Sequence, residues 1–253
     1  MQNRKIQILW RFAALFLGIT ALTINLINAS LNGNVYLQVF YFTFQTNLFV
    51  TVNFAVLLIK TAHQIKKEGV IGKAASNNHC YETAVTLYIF ITFLVFWFVV
   101  APMVVMGKNL EIRLTPLYFV NNFLIHALMP FMAVVDWVML CPHGGLNKKC
   151  ALKWLTYPVL YGAILLLRAL LCGTFKILSD GTKLYYPYPF LEPVFISKLK
   201  ICQNGLSPYV VLVFVCISLF VFFYVFGRFT ISLDNVLAKE ESLLNKNSVK
   251  KCR

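Results

Sequence analysis

The amino-acid sequence predicts an all-α integral membrane protein, a six-transmembrane-helix bundle with both termini in the cytoplasm. Three observations carry this. The 253-residue chain is 59% hydrophobic and 13% charged, with a mean hydropathy of +0.72, far from the balance of a water-soluble domain. Six stretches, 7–28, 38–60, 83–106, 117–141, 154–174 and 209–231, reach the roughly 20 apolar residues that a helix needs to cross a bilayer. The basic residues are also unequally divided between the two sides.

With both ends inside, fifteen fall on the cytoplasmic side: Arg4, Lys5, Lys60, Lys66, Lys67, Lys73, Lys148, Lys149, Lys153, Arg228, Lys239, Lys246, Lys250, Lys251 and Arg253. Six fall on the outer side: Lys108, Arg113, Lys176, Lys183, Lys198 and Lys200. Such an excess orients a membrane protein. The net charge of +14 therefore reads as topology and as contact with anionic lipid at the cytoplasmic face, with no nucleic-acid partner.

The first span follows Arg4 and Lys5 and precedes "NAS", the outline of a signal peptide. Its apolar run is longer than a signal core of about 7–15 residues, so a retained helix is expected. The second carries the polar cluster "YFTFQTNLFV", and a polar cytoplasmic connection, 61–82, leads to the third. The fourth contains Asn121, Asn122 and His126, and the fifth contains Tyr157, Tyr161 and Arg168.

The outer connection, 175–208, packs Pro187, Pro189 and Pro193 among tyrosines and phenylalanines. It reads either as an interfacial aromatic anchor or as a stiffened lid over a cavity. The segment after Asp234 reads as a short charged helix or a frayed end. No repeat or linker divides the chain, so residues 1–253 form one domain. Seven cysteines show no C-x-x-C pair and no zinc-type spacing, so neither metal nor cofactor is expected. Only Cys172 and Cys202 approach the outer face, as a candidate disulfide or as packing residues.

Polar side chains at membrane depth are costly and face a bundle interior or a cavity. At about 100° per residue, Thr43, Thr46, Asn47, Thr51 and Asn53 share one side of the second span, with Gln45 opposed. Asn122 and His126 form an i, i+4 pair. Rise along the helix places Thr43 about 7 Å, Arg168 about 9 Å and His126 about 14 Å below the outer ends of their spans. Asp136 lies nearer the cytoplasm, level with Arg11, and reads as half of an inner ion pair.

Each polar residue has a structural reading too. Threonine in a membrane helix most often bonds its own backbone, and Asn47 and Asn122 can bond across helices. Arg168 needs either protein partners, such as a tyrosine hydroxyl or Glu192, or a ligand carboxylate. His126 is the one histidine within a span. As chemistry, the set offers a threonine hydroxyl, an imidazole base and amide donors for an oxyanion. No nucleophile-elbow or phosphate-loop motif is present.

Three motifs then point to a family. "FTFQTN" (Phe42 to Asn47), "HALMPFMAVVDW" from His126 and "YPYPFL" (Tyr186 to Leu191) resemble the bacterial six-span membrane proteins related to the androgen-induced protein family. The resemblance runs in order over nearly the whole chain. It implies an intramembrane threonine hydrolase of fatty acid esters of hydroxy fatty acids, in the bacterial inner (cytoplasmic) membrane. It also implies Thr43 as nucleophile and His126 as base, with Thr46 a rival nucleophile. Asn47 and Asn122 would then polarise the carbonyl, while Tyr161 and Arg168 would hold the head group of a lipid or other amphiphilic substrate. The alternative is a noncatalytic transporter or lipid-binding protein using the same cavity.

Overall fold

In the computed structural model, which describes residues 3–105 and 115–251, the six stretches are six helices. They are α1 (Arg4–Leu31), α2 (Phe42–Glu68), α3 (His79–Met103), α4 (Pro116–Leu140), α5 (Lys149–Cys172) and α6 (Pro208–Lys251). Each is long and apolar enough to cross a membrane, so the chain is a multi-pass all-α bundle. An even number of crossings returns both ends to one face, called here the terminal face, opposite a distal face. Lys108, Arg113 and Arg253, used in the charge count, lie outside the described residues.

Helix starts follow local chemistry. Asn3 caps α1 by accepting from the Lys5 amide, Asn78 caps α3 through the Tyr81 amide, and Thr115 caps α4 through the Tyr118 amide, ahead of Pro116. Each cap satisfies a first-turn N–H that has no partner within the helix. The second helix departs from expectation at both ends. Val35–Phe40 forms a 3-10 helix, Tyr41 is extended, and α2 then runs past the apolar stretch to Glu68. The charged tail is not a separate element either, because it continues α6.

Proline shapes two helices in the same way. Pro102 in α3 and Pro130 in α4 each follow a five-residue π segment, Phe96–Val100 and Leu124–Leu128. Proline has no N–H for the carbonyl four residues back, and each helix widens to i→i−5 bonding just before it. Ala101 thus donates to Phe96, and Met129 to Leu124. Pro158 in α5 instead follows a turn at Leu155. The Trp154 carbonyl that it cannot serve accepts the Tyr88 hydroxyl of α3 at 2.8 Å instead.

The most apolar stretch of α4 is 50% buried and that of α5 or α6 is 11% buried, so α4 is central and the last two helices face outward. One apolar cluster joins α1 to α4 around Ala14, Val50, Phe54, Ile89 and Met129. A second joins α3, α5 and α6 around Tyr88, Trp154 and Phe223. Gly18 permits the closest approach in the first cluster, since a Cβ there would collide with the Thr51 side chain.

The inner ion pair forms: Arg11, fully buried, reaches both Asp136 oxygens at 3.2 and 3.3 Å and donates to the Thr61 hydroxyl at 2.7 Å. Cys172 and Cys202 are free thiols. The distal connection holds a short antiparallel pair, β1 (Lys176–Ile177) and β2 (Lys183–Leu184).

Candidate functional site

A cavity of about 570 Å³ opens toward the distal face beneath the proline-rich connection. Its walls are mostly apolar and come from all six helices. Polar groups enter it from the start of α2 (Thr43), from α3 (Thr92), from α4 (Tyr118, Asn121, Asn122 and His126) and from α5 (Tyr161). The connection supplies the roof, through residues from Tyr186 to Glu192 and Phe195. The loop is therefore a cover over the cavity.

His126 owes its setting to the two π segments. Its ring stacks on Phe96 with centroids 3.6 Å apart and planes 7° from parallel. The carbonyl of His126, left without its helical donor by Pro130, accepts the Trp97 indole N–H at 3.0 Å. The imidazole is 6% exposed, and its Nδ1 is buried with no hydrogen-bond partner. The widened helix also changes which residues share its face. With i, i+5 spacing through the π segment, Asn121 swings to the buried side, 3% exposed with an unpartnered carbonyl oxygen. The i, i+4 reading had favoured Asn122, which lines the cavity too but donates to its own helix at Tyr118.

Thr43 stands in the first turn of α2, nearer the helix end than the earlier boundary implied. Its side chain lies beside the Tyr188 hydroxyl, as does Tyr161, and that hydroxyl accepts the Phe42 amide at 2.9 Å. Burial holds the Tyr188 phenol above its ordinary range, against the pull of these polar neighbours. Tyr188 is the residue that the sequence reading missed at this site, although its "YPYPFL" motif had marked the segment.

The amide of Asn47, a fully buried residue, donates to the Thr43 carbonyl at 2.9 Å and across to the Ile125 carbonyl at 3.1 Å. This fastens α2 to α4 at the level of Ile125. Thr43, four residues earlier, stands about 6 Å distal of that level. Thr46 shares its hydroxyl with Thr92 at 3.2 Å and bonds the Thr43 carbonyl.

The remaining expected residues divide. Tyr161 lines the cavity and donates to the Phe40 carbonyl at 2.7 Å. Arg168 lies outside the lining, its guanidinium bonded to the carbonyls of Gly173, Thr174 and Tyr185 at 2.8–3.1 Å and set over the Phe175 ring. Those carbonyls belong to the α5 terminus and the connection, so Arg168 ties the roof to α5. Glu192 braces the roof internally, accepting the Tyr185 and Tyr186 amides at 2.7 and 3.0 Å.

Comparison of the chain with family models, with curated proteins and with solved structures finds no match.

Proposed function

We propose that the chain is an intramembrane hydrolase of a lipid ester, a fatty acid ester of a hydroxy fatty acid or a similar amphiphile. The observation that carries the reading is one largely apolar cavity lined by both Thr43 and His126. A largely apolar chamber of this size suits acyl chains. Its polar lining, Thr43, Asn121 and His126 among it, is where an ester carbonyl would rest.

In this reading Thr43 Oγ attacks the ester carbonyl carbon while its proton passes to the His126 imidazole. Helix rise sets His126 about 7 Å deeper than Thr43, so the reading requires a water relay between them. The oxyanion accepts from the Tyr188 hydroxyl, already beside Thr43. Collapse expels the alcohol, which takes the proton from His126, and water then cleaves the acyl-threonine by the same relay. The proposed setting is a bacterial cytoplasmic membrane, with the terminal face inward and its lysines and arginines on anionic lipid. The motif resemblance to the bacterial relatives of the androgen-induced family supports this.

A second reading, a noncatalytic lipid binder or transporter, draws on the Thr43–Tyr188 contact, which engages the nucleophile's side chain in fastening the roof. Purified protein treated with a lipophilic fluorophosphonate separates the two. The hydrolase reading expects stoichiometric labelling, lost in Thr43→Ala and lowered about 100-fold or more in His126→Gln. Tyr188→Phe should slow labelling about tenfold or more. Absence of labelling, or labelling indifferent to Thr43→Ala, leaves the binding protein.

A further inference from the structure

At the terminal face, three residues from distant parts of the chain converge. His79 begins α3, His143 follows α4, and Asp234 projects from α6. His79 Nε2 lies 2.8 Å and His143 Nδ1 lies 2.9 Å from the same oxygen, Asp234 Oδ1. The His143 and Asp234 side chains are 1% and 0% exposed, and that of His79 is 15% exposed.

The hydrogen-bond pattern leaves a positive charge to be supplied. His143 Nε2 stands 3.3 Å from the Val138 carbonyl, which can only accept, so Nε2 carries a proton. In the neutral ring Nδ1 is then a bare lone pair, and it points at a carboxylate oxygen that is a bare acceptor as well. Two acceptors at 2.9 Å are stable only with a cation between them, either a proton or a metal ion. The second Asp234 oxygen is occupied by the Gly144 amide at 3.0 Å. Gly144 has φ +93°, and a Cβ there would meet Ala238 at 2.8 Å, so this turn is held against α6.

We propose that His79 Nε2, His143 Nδ1 and Asp234 Oδ1 form a site for a borderline transition-metal dication such as Zn²⁺. All three donor atoms lie within 4.8 Å of one another. A tetrahedral site with bonds of about 2.0–2.1 Å spaces its donors about 3.3–3.4 Å apart, so the two short pairs open by about half an ångström on binding. Two imidazoles and one carboxylate suit zinc, whereas calcium and magnesium seek six or more oxygens. For His143 the Val138 carbonyl supplies the outer hydrogen bond that metal-bound histidines usually make, while Nδ1 of His79 is buried without one. A fourth position remains for water. Binding displaces any proton held between His143 and Asp234, and it joins α6 to the end of the first connection and the start of the second at this face.

Metal-stripped, full-length protein in detergent, titrated with Zn²⁺ against a chromophoric chelator, tests the site. One equivalent should bind, with Co²⁺ substitution giving the visible bands of a tetrahedral ion. His79→Gln and His143→Ala should each weaken binding about 100-fold or more, beyond the loss seen for outer hydrogen-bond partners, while His63→Ala on the exposed α2 surface should bind as the parent. If the unaltered protein takes up no Zn²⁺, or if His79→Gln binds as tightly as the parent, a proton alone joins these groups and the proposal fails. The unaltered protein's titration stands whether or not a variant folds.

Discussion

His126 and Phe96 lie face to face, ring on ring at 3.6 Å, each within a π segment, Leu124–Leu128 of α4 and Phe96–Val100 of α3. Trp97, the neighbour of Phe96, completes the junction by donating to the His126 carbonyl. The position of the candidate base thus rests on a contact between two local departures from the α-helix.

Replacing the indole donor should loosen that junction. Trp97→Phe leaves the His126 carbonyl without a donor, at a cost of about 1–3 kcal/mol. A lower unfolding temperature in detergent would register the loss. Equal stability would mean that water or a relaxed helix serves the carbonyl equally well.

The roof should respond to pH through Glu192. Burial raises its carboxyl above the ordinary value of 4.5, outweighing the amides that bond it. The folded state therefore holds the proton more tightly than the unfolded chain. The contribution to stability is full below pH 4.5 and falls as pH rises through the elevated folded value. Glu192→Gln removes this dependence, so the difference in unfolding temperature between variant and parent should grow in the variant's favour from pH 4.5 upward. A difference that is constant with pH would contradict the assignment.

The ion pair on the terminal side of the bundle predicts an asymmetric mutational pattern. Asp136→Ala strands the Arg11 guanidinium and should cost about 3–5 kcal/mol. Arg11→Met combined with Asp136→Leu removes both charges and should recover most of that loss. Folded yield and unfolding in detergent, compared across single and double variants, measure the coupling. A double variant as unstable as the sum of the singles would refute it.

Hydropathy, charge placement and helix rise are properties of short windows, and they sufficed for the six spans, the level of Arg11 with Asp136 and the gathering of Thr43 and His126 around one distal cavity. What they could not supply depends on contacts between distant residues. Pro130 was legible, but the turn of Asn121 toward the buried face required the π segment that α4 adopts against α3. Arg168 was seen to need partners, yet the carbonyls that it uses belong to a connection whose path no periodicity describes. Tyr188 reaches Thr43 across more than half the chain. Likewise His79, His143 and Asp234 meet although no spacing rule links them, because only packing brings the two connections and α6 together. Which segments form membrane-length apolar helices was written in the sequence, since that follows from local transfer energies. Tertiary structure alone decided which of their polar groups are consumed by the backbone and which, like His126 Nδ1, remain uncommitted, since hydrogen-bond satisfaction depends on the whole fold.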